Sequence, residues 1–118
     1  MPGMIVKGGT VLQPVLYSAA IAEGLHAQVV EGRLFYCTTA GGFTSFPIAI
    51  DTYTKRQGIE VLEIVDRAIE QGFLVAAPAE RACTFCDFRP VCGPHEAERV
   101  KRKPKDRLAD LQALREMR

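Results

Sequence analysis

The sequence predicts an α+β domain, in the looser sense an α/β arrangement, ordered helix, β-hairpin, helix, cysteine-rich knuckle and basic tail helix. Three observations carry that prediction. Apolar residues recur at helical spacing over residues 11–24 and again over 58–72. Between them, residues 33–51 hold two strand-like runs separated by Ala40-Gly41-Gly42. Three of the four cysteines then cluster at Cys83, Cys86 and Cys92, ahead of a Lys- and Arg-rich end.

The elements follow in order along residues 1–118, read as one partial domain without repeats or low-complexity tracts. Residues 1–9 read as a short Gly-rich irregular stretch ending Lys7-Gly8-Gly9. A helix is expected from about Val11 to Glu23, with Gly24 as its stop. Leu12, Leu16, Ala19 and Ala20 form its apolar stripe, and Pro14 falls near the first turn, where a missing N–H costs least. Arg33–Thr39 and Thr44–Asp51 are the expected strands. Leu34, Tyr36 and Thr38 share one face, and Phe35, Cys37 and Thr39 the other. The second helix runs from Gly58 to Gln71, burying Ile59, Leu62, Ile64, Val65, Ala68 and Ile69, and stops at Gly72. Phe73–Pro78 leads into the knuckle at 83–93. Residues 94–118 form the basic tail, in which Leu108, Leu111 and Leu114 mark a short amphipathic helix. The resulting core is thin, and a chain that buries so little is expected to lean on something else for stability.

Bulk composition narrows the function classes. A chain that is 47% hydrophobic and 25% charged is too apolar for a disordered segment. Its formal charge of +1 argues against a broadly polyanion-seeking surface and leaves room for local basic patches. No apolar run approaches the roughly 20 residues of a membrane span. The start, Met1-Pro2-Gly3-Met4, lacks the basic region and apolar core of a secretory signal, so a cytoplasmic location is expected. In a reducing cytosol, closely spaced thiols are more often metal or cluster ligands than disulfides.

Cys83, Cys86 and Cys92 stand as C-x2-C-x5-C, with Pro90 and Gly93 to shape the turns. Two thiolates two residues apart wrap one centre, and a third a few residues on closes the loop around it. The alternative is a set of buried apolar cysteines. Three ligands leave a place for a fourth: His95, Cys37, or a cysteine outside this chain. His95 would complete the Cys3His set of a structural zinc site. Cys37, beside aromatics in a strand, also reads as a structural thiol.

Gln13 and Tyr17 are four apart and emerge on one helix face, where an amide and a phenol can position a phosphate or a neighbouring catalytic group. Thr10-Val11-Leu12-Gln13 also fits a T-x-x-Q capping box, and Tyr17 a half-buried aromatic. In the tail, Lys101, Arg102, Lys103 and Lys105, with Arg99 and Arg107, form the densest positive run. They read as phosphate contacts or as a solvated, fraying segment.

Taken together, Gly8 to Tyr17 and Cys83 to Gly93 resemble the C-terminal half of the RecB-type branch of the PD-(D/E)XK nuclease superfamily, and are most similar to the nuclease domain of AddB-type helicase–nuclease subunits. The resemblance spans roughly residues 5–115 and implies the C-terminal part of a restriction-endonuclease-like fold. It implies that Gln13 and Tyr17 are the Q-x3-Y pair beside the active site, in an accessory role. It implies that Cys83, Cys86 and Cys92 supply three ligands to a 4Fe–4S cluster, with DNA and a helicase subunit as partners in double-strand break repair. The catalytic Asp and the (D/E)-x-K pair of that family precede the Q-x3-Y helix. Here no Asp or Glu is followed two residues later by Lys; Glu31-Gly32-Arg33 and Asp87-Phe88-Arg89 place Arg there.

Mg²⁺-dependent phosphodiester hydrolysis needs those acidic ligands. The expectation is therefore a truncated part of a deoxyribonuclease domain, inactive alone, completed by its upstream half or covered by self-association. The rival expectations are a small zinc-knuckle nucleic-acid-binding module on Cys83, Cys86, Cys92 and His95, and a remnant whose cysteines bind nothing.

Overall fold

In a computed structural model that describes residues 4–118, the chain starts by burying Ile5 and Val6 and then turns back through a single 3₁₀ turn, Lys7–Gly9. The part of the expected irregular start that falls on residues 1–3 lies outside the described residues. Helix α1 (Gln13–Leu25) follows, then an antiparallel hairpin of β1 (Glu31–Phe35) and β2 (Ser45–Ala49), then the long helix α2 (Thr52–Glu70). After a non-regular stretch come the short helices α3 (Arg89–Cys92) and α4 (Glu96–Arg102), a 3₁₀ turn at Asp106–Leu108, and α5 (Ala109–Glu116). The molecule is a small α+β domain of helices around a two-stranded antiparallel sheet. No helix among the described residues is long and apolar enough to cross a membrane.

Several boundaries differ from the sequence expectation for identifiable reasons. Helix α1 begins at Gln13, with Pro14 in its first turn, and runs past Gly24 to Leu25. His26 takes the left-handed capping position (φ 49°), and Ala27 N–H closes the end on the Ala22 carbonyl. The T-x-x-Q capping box does not form, because Thr10 Oγ1 donates to the Lys7 carbonyl inside the preceding turn. The expected stripe is also rotated. Pro14, Val15 and Ser18 are the buried residues, while Ala19 and Ala20 are exposed.

The strands are shorter than the expected 33–51 span and start earlier, with Glu31 opposite Ala49 and Phe35 opposite Ser45. Tyr36 to Thr44 form the connection, closed by Tyr36 N–H on the Thr44 carbonyl. The turn sits where Ala40-Gly41-Gly42 placed it, and Thr38 and Thr44 side chains tie down the Gly41 amide and carbonyl. Tyr36 meets Phe46 edge-on at 5.6 Å across the sheet.

Helix α2 starts six residues before the expected Gly58. Asp51 caps it by accepting the Thr54 N–H at 2.8 Å. Its buried line is Thr54, Gln57, Gly58, Val61 and Ile64. Ile59, Leu62, Val65 and Ile69, expected inside, are exposed. The stop is as expected: Gly72 adopts φ 60°, its N–H reaches Ile69, and Phe73 N–H reaches Ala68.

The tail is the largest departure. Instead of fraying, Leu108 is buried, and Leu114 and Met117 pack on the core of Ile5, Val6, Val15, Ile48 and Val61. The amides of Ile5 and Val6 donate to the Arg118 carbonyl at 3.0 and 2.6 Å, and Gly8 N–H donates to Met117 at 2.9 Å. Arg67 of α2 grips Asp110 of α5 with two bonds of 3.0 and 2.9 Å.

Two glycines allow close approach between elements: a Cβ on Gly32 would lie 2.5 Å from the Pro14 carbonyl oxygen, and one on Gly58 would lie 2.8 Å from Val15 Cγ1. Gly24 has open space around it. Gly32→Ala is therefore expected to destabilise by about 1–3 kcal/mol through overpacking. Gly24→Ala, in an unencumbered helix position, is expected to stabilise by about 0.5–1 kcal/mol. Urea unfolding midpoints of the two variants check both signs.

The same contacts set an acid dependence. The Arg67 hydrogen bond holds the Asp110 carboxyl below its ordinary value of 3.8, and the Thr54 amide does the same for Asp51. Because both folded pKa values are depressed, the stabilisation is complete above pH 3.8 and is lost as pH falls through the folded values. The urea midpoint should drop below pH 3.8, and Asp110→Asn should flatten that drop.

Candidate metal centre

The knuckle is built from successive single turns. Cys86 N–H reaches the Cys83 carbonyl at 3.5 Å, Arg89 N–H reaches Cys86 at 3.4 Å, and Cys92 N–H reaches Phe88 at 3.2 Å. Proline in the first turn of α3 and Gly93 (φ 72°) after its last residue bracket that helix to one turn. Neither α3 nor α4 packs extensively on another element, so the segment carries little core of its own. Phe85, Phe88 and Val91 point outward and are 95%, 70% and 84% exposed, while the three motif cysteines are half-buried.

Those three residues border one space. Cys83, Cys86 and Cys92 line a cleft of about 570 Å³, walled also by Ala77, Glu96, Arg99, Lys103 and Arg115. Cys83 and Glu96 also line an adjoining cleft of about 620 Å³, with Arg89 and Lys101 at its wall. No three His, Cys, Asp or Glu side chains among the described residues are drawn together closely enough to hold a metal ion as they stand. All four cysteines are free thiols. The donor chemistry of three thiols suits a thiophilic metal or cluster.

Burial pushes the Cys83 thiol up, and the negative charges of Glu96, Cys86 and Cys92 add to that against the opposing pull of Arg89. Cations surround the cleft and are mostly tied to backbone carbonyls. Arg99 Nη2 donates to the Cys92 carbonyl, Lys103 Nζ to Ala76, and Arg115 Nη2 to Ala77. Arg107 stacks over Phe73 at 4.2 Å. The basic tail thus staples α4 and α5 to residues 73–77.

The other expected site residues fall elsewhere. Cys37 is exposed in the hairpin connection and does not line the cleft. His95 is exposed, holds a left-handed backbone (φ 61°) before α4, and also stays off the cleft wall. Gln13 and Tyr17 are both exposed along α1, Tyr17 to 62%, and form no pocket with the thiols. Lys101, Arg102 and Lys105 are exposed, whereas Lys103 is half-buried on its Ala76 bond. Sequence reasoning did not single out Glu96, which lines the cleft beside the three cysteines; Arg99, read there only as part of the basic run, lines it too.

No family model matches this chain, and neither does any curated protein or solved structure.

Metal-free protein should be alkylated first at exposed Cys37 and last at Cys83, whose raised thiol pKa keeps the reactive thiolate scarce. Timed iodoacetamide labelling read by peptide mass spectrometry checks the order.

Proposed function

We propose that this chain is the C-terminal part of a RecB/AddB-like DNA nuclease domain, in which the knuckle binds a structural 4Fe–4S cluster. The observation that supports this most is that the three motif cysteines line one cleft while the fourth, Cys37, stands apart. Cys83, Cys86 and Cys92 would hold the group, and when bound it would cross-link a loop that has almost no core.

On this reading Gln13 and Tyr17 lie on an exposed face of α1, open to a substrate or to the acidic residues of the complete domain. Those acidic residues would hold Mg²⁺, and this chain lacks the (D/E)-x-K pair, so it cleaves no DNA by itself. Its contribution to the polymer is charge. Lys101, Arg102 and Lys105 are the solvent-facing cations for the phosphate backbone. The partners proposed are DNA, a helicase subunit and the upstream half of the domain.

Protein purified without oxygen is expected to contain iron and acid-labile sulfide and to show the broad visible absorption of an iron–sulfur cluster. Cys83→Ser and Cys92→Ser should lose both, and Cys37→Ser neither. One zinc per chain in place of iron would overturn the cluster and favour a zinc-knuckle nucleic-acid module. No metal at all would overturn both.

For DNA, the combined Lys101→Ala, Arg102→Ala and Lys105→Ala variant should weaken binding to a fluorescent duplex irrespective of its sequence. It should also reduce the slope of log affinity against log salt by about 2–3. An unchanged slope would remove these residues from the interface.

A further inference from the structure

Helix α2 turns one row of residues outward. Lys55, Ile59, Leu62, Asp66 and Ile69 follow one another at alternating steps of four and three, the spacing that lines residues up along one side of a helix. All five are exposed, with Ile59, Leu62 and Ile69 open to 57%, 50% and 63%. The residues that α2 buries, Thr54, Gln57, Val61 and Ile64, follow a separate line. On one side the row borders an apolar groove of about 310 Å³, lined by Ile59 and Leu62 together with Leu16, Ala19 and Ala22 of α1.

The charges along this row are ordered. Ile59 and Leu62 form its middle, Lys55 precedes them and Asp66 follows. On one flank Arg56 and Glu63 repeat that polarity. Among the described residues none of these four charges enters an ion pair, and Arg56 sits over the Tyr53 ring at 5.7 Å. Lys55 and Asp66 are roughly 16 Å apart along the helix, too far to serve each other.

A second copy matches the order end for end. With two α2 helices antiparallel about a two-fold axis between Ile59 and Leu62, Ile59 meets the partner's Leu62. Lys55 then meets the partner's Asp66, and Arg56 the partner's Glu63. A parallel pairing would set Lys55 on Lys55 and Asp66 on Asp66, like on like. Surface area points the same way. The chain exposes 8892 Å², whereas a compact monomer of 13.0 kDa exposes roughly 6300 Å². The surplus is well above the roughly 800 Å² per partner that a stable interface takes.

We propose that the outer face of α2 joins two copies of this chain as an antiparallel helix pair, with Ile59 against Leu62 at its centre and Lys55–Asp66 and Arg56–Glu63 ion pairs around it. The pairing uses neither the thiols nor the nuclease reading, and stands or falls apart from both.

The test follows the mass and dissociation constant of the full chain by analytical ultracentrifugation in the presence of a thiol reductant, with folding read by far-ultraviolet circular dichroism. Wild type is expected to be a dimer. Leu62→Glu, at an exposed position, should be a monomer with an unchanged spectrum. Lys55→Glu and Asp66→Lys should each raise the dissociation constant at least about tenfold, because each sets like charges together at both ends of the seam. Combining both substitutions in one chain should restore the wild-type value. Mixing the two single variants should give a heterodimer tighter than either homodimer, a gain that misfolding cannot mimic.

A wild-type monomer at every concentration would overturn the proposal and leave the face to another part of a larger domain or to a different protein. A dimer indifferent to Leu62→Glu would refute it as well and move the contact to another surface. Single charge variants without effect, or weakened ones that neither the double variant nor the mixture restores, would rule out the antiparallel order.

Discussion

The fold depends on a closure at Val6. This side chain is fully buried, its N–H donates to the Arg118 carbonyl, and its own carbonyl accepts from both Gly9 and Val11. Remove that node and the 3₁₀ turn, the start of α1 and the end of α5 all lose their register. The core around it is small enough that no single layer suffices: Val15 comes from α1, Ile48 from β2 and Val61 from α2, with Leu114 and Met117 closing from the tail. The tail is therefore a structural wall. From that wall, α5 also carries Leu111 and Arg115 onto the thiol cleft.

Around this modest core the helices leave many large apolar residues exposed. Tyr17, Ile21 and Leu25 are exposed on α1, and Ile59, Leu62 and Ile69 on α2. Scattered apolar residues are normal on a surface, but rows at helical spacing on two adjacent helices are not. The cause lies in α2, whose apolar sector is too wide for one contact. Thr54, Gln57, Val61 and Ile64 face α1 and the core, and the rest of the sector turns outward. The size mismatch accords with the proposal that this chain is one part of a larger domain.

Much of this was legible in the residues, and the failures have physical causes. The order helix, hairpin, helix, knuckle, tail helix was readable because Gly72 and the Ala40-Gly41-Gly42 turn are local signals that tertiary contacts leave alone. The facing of α2 was not. Periodicity locates an apolar sector but cannot say which part of it meets a neighbour, and here the decisive contact is Val15 against Gly58, where the helix presents no side chain at all. The early start of α2 was legible in principle, since Asp51 three residues before Thr54 is a capping pattern, but the strand-like run beside it competed for the same residues. The tail misled through composition. Its cations suggested a solvated segment, yet Lys103, Arg107 and Arg115 turn their charge or planar faces to internal partners, and Asp110 takes the α2 residue Arg67.

The knuckle inverts the usual logic of a buried loop. Its large apolar side chains, Phe85, Phe88 and Val91, face solvent, and its small polarizable thiols face inward. Hydrophobic burial cannot hold such a loop, since the groups with the most to gain are outside. Hydrogen bonds do not hold it either, because they run almost wholly within successive single turns and tie each residue only to near neighbours. The links to the rest of the molecule come from cations on the far side of the cleft, Arg99 on the Cys92 carbonyl and Lys103 on Ala76. On the proposed reading, a bond to a shared metal centre would set the spacing between the three sulfurs, and it would act most strongly where the protein's own packing supplies least.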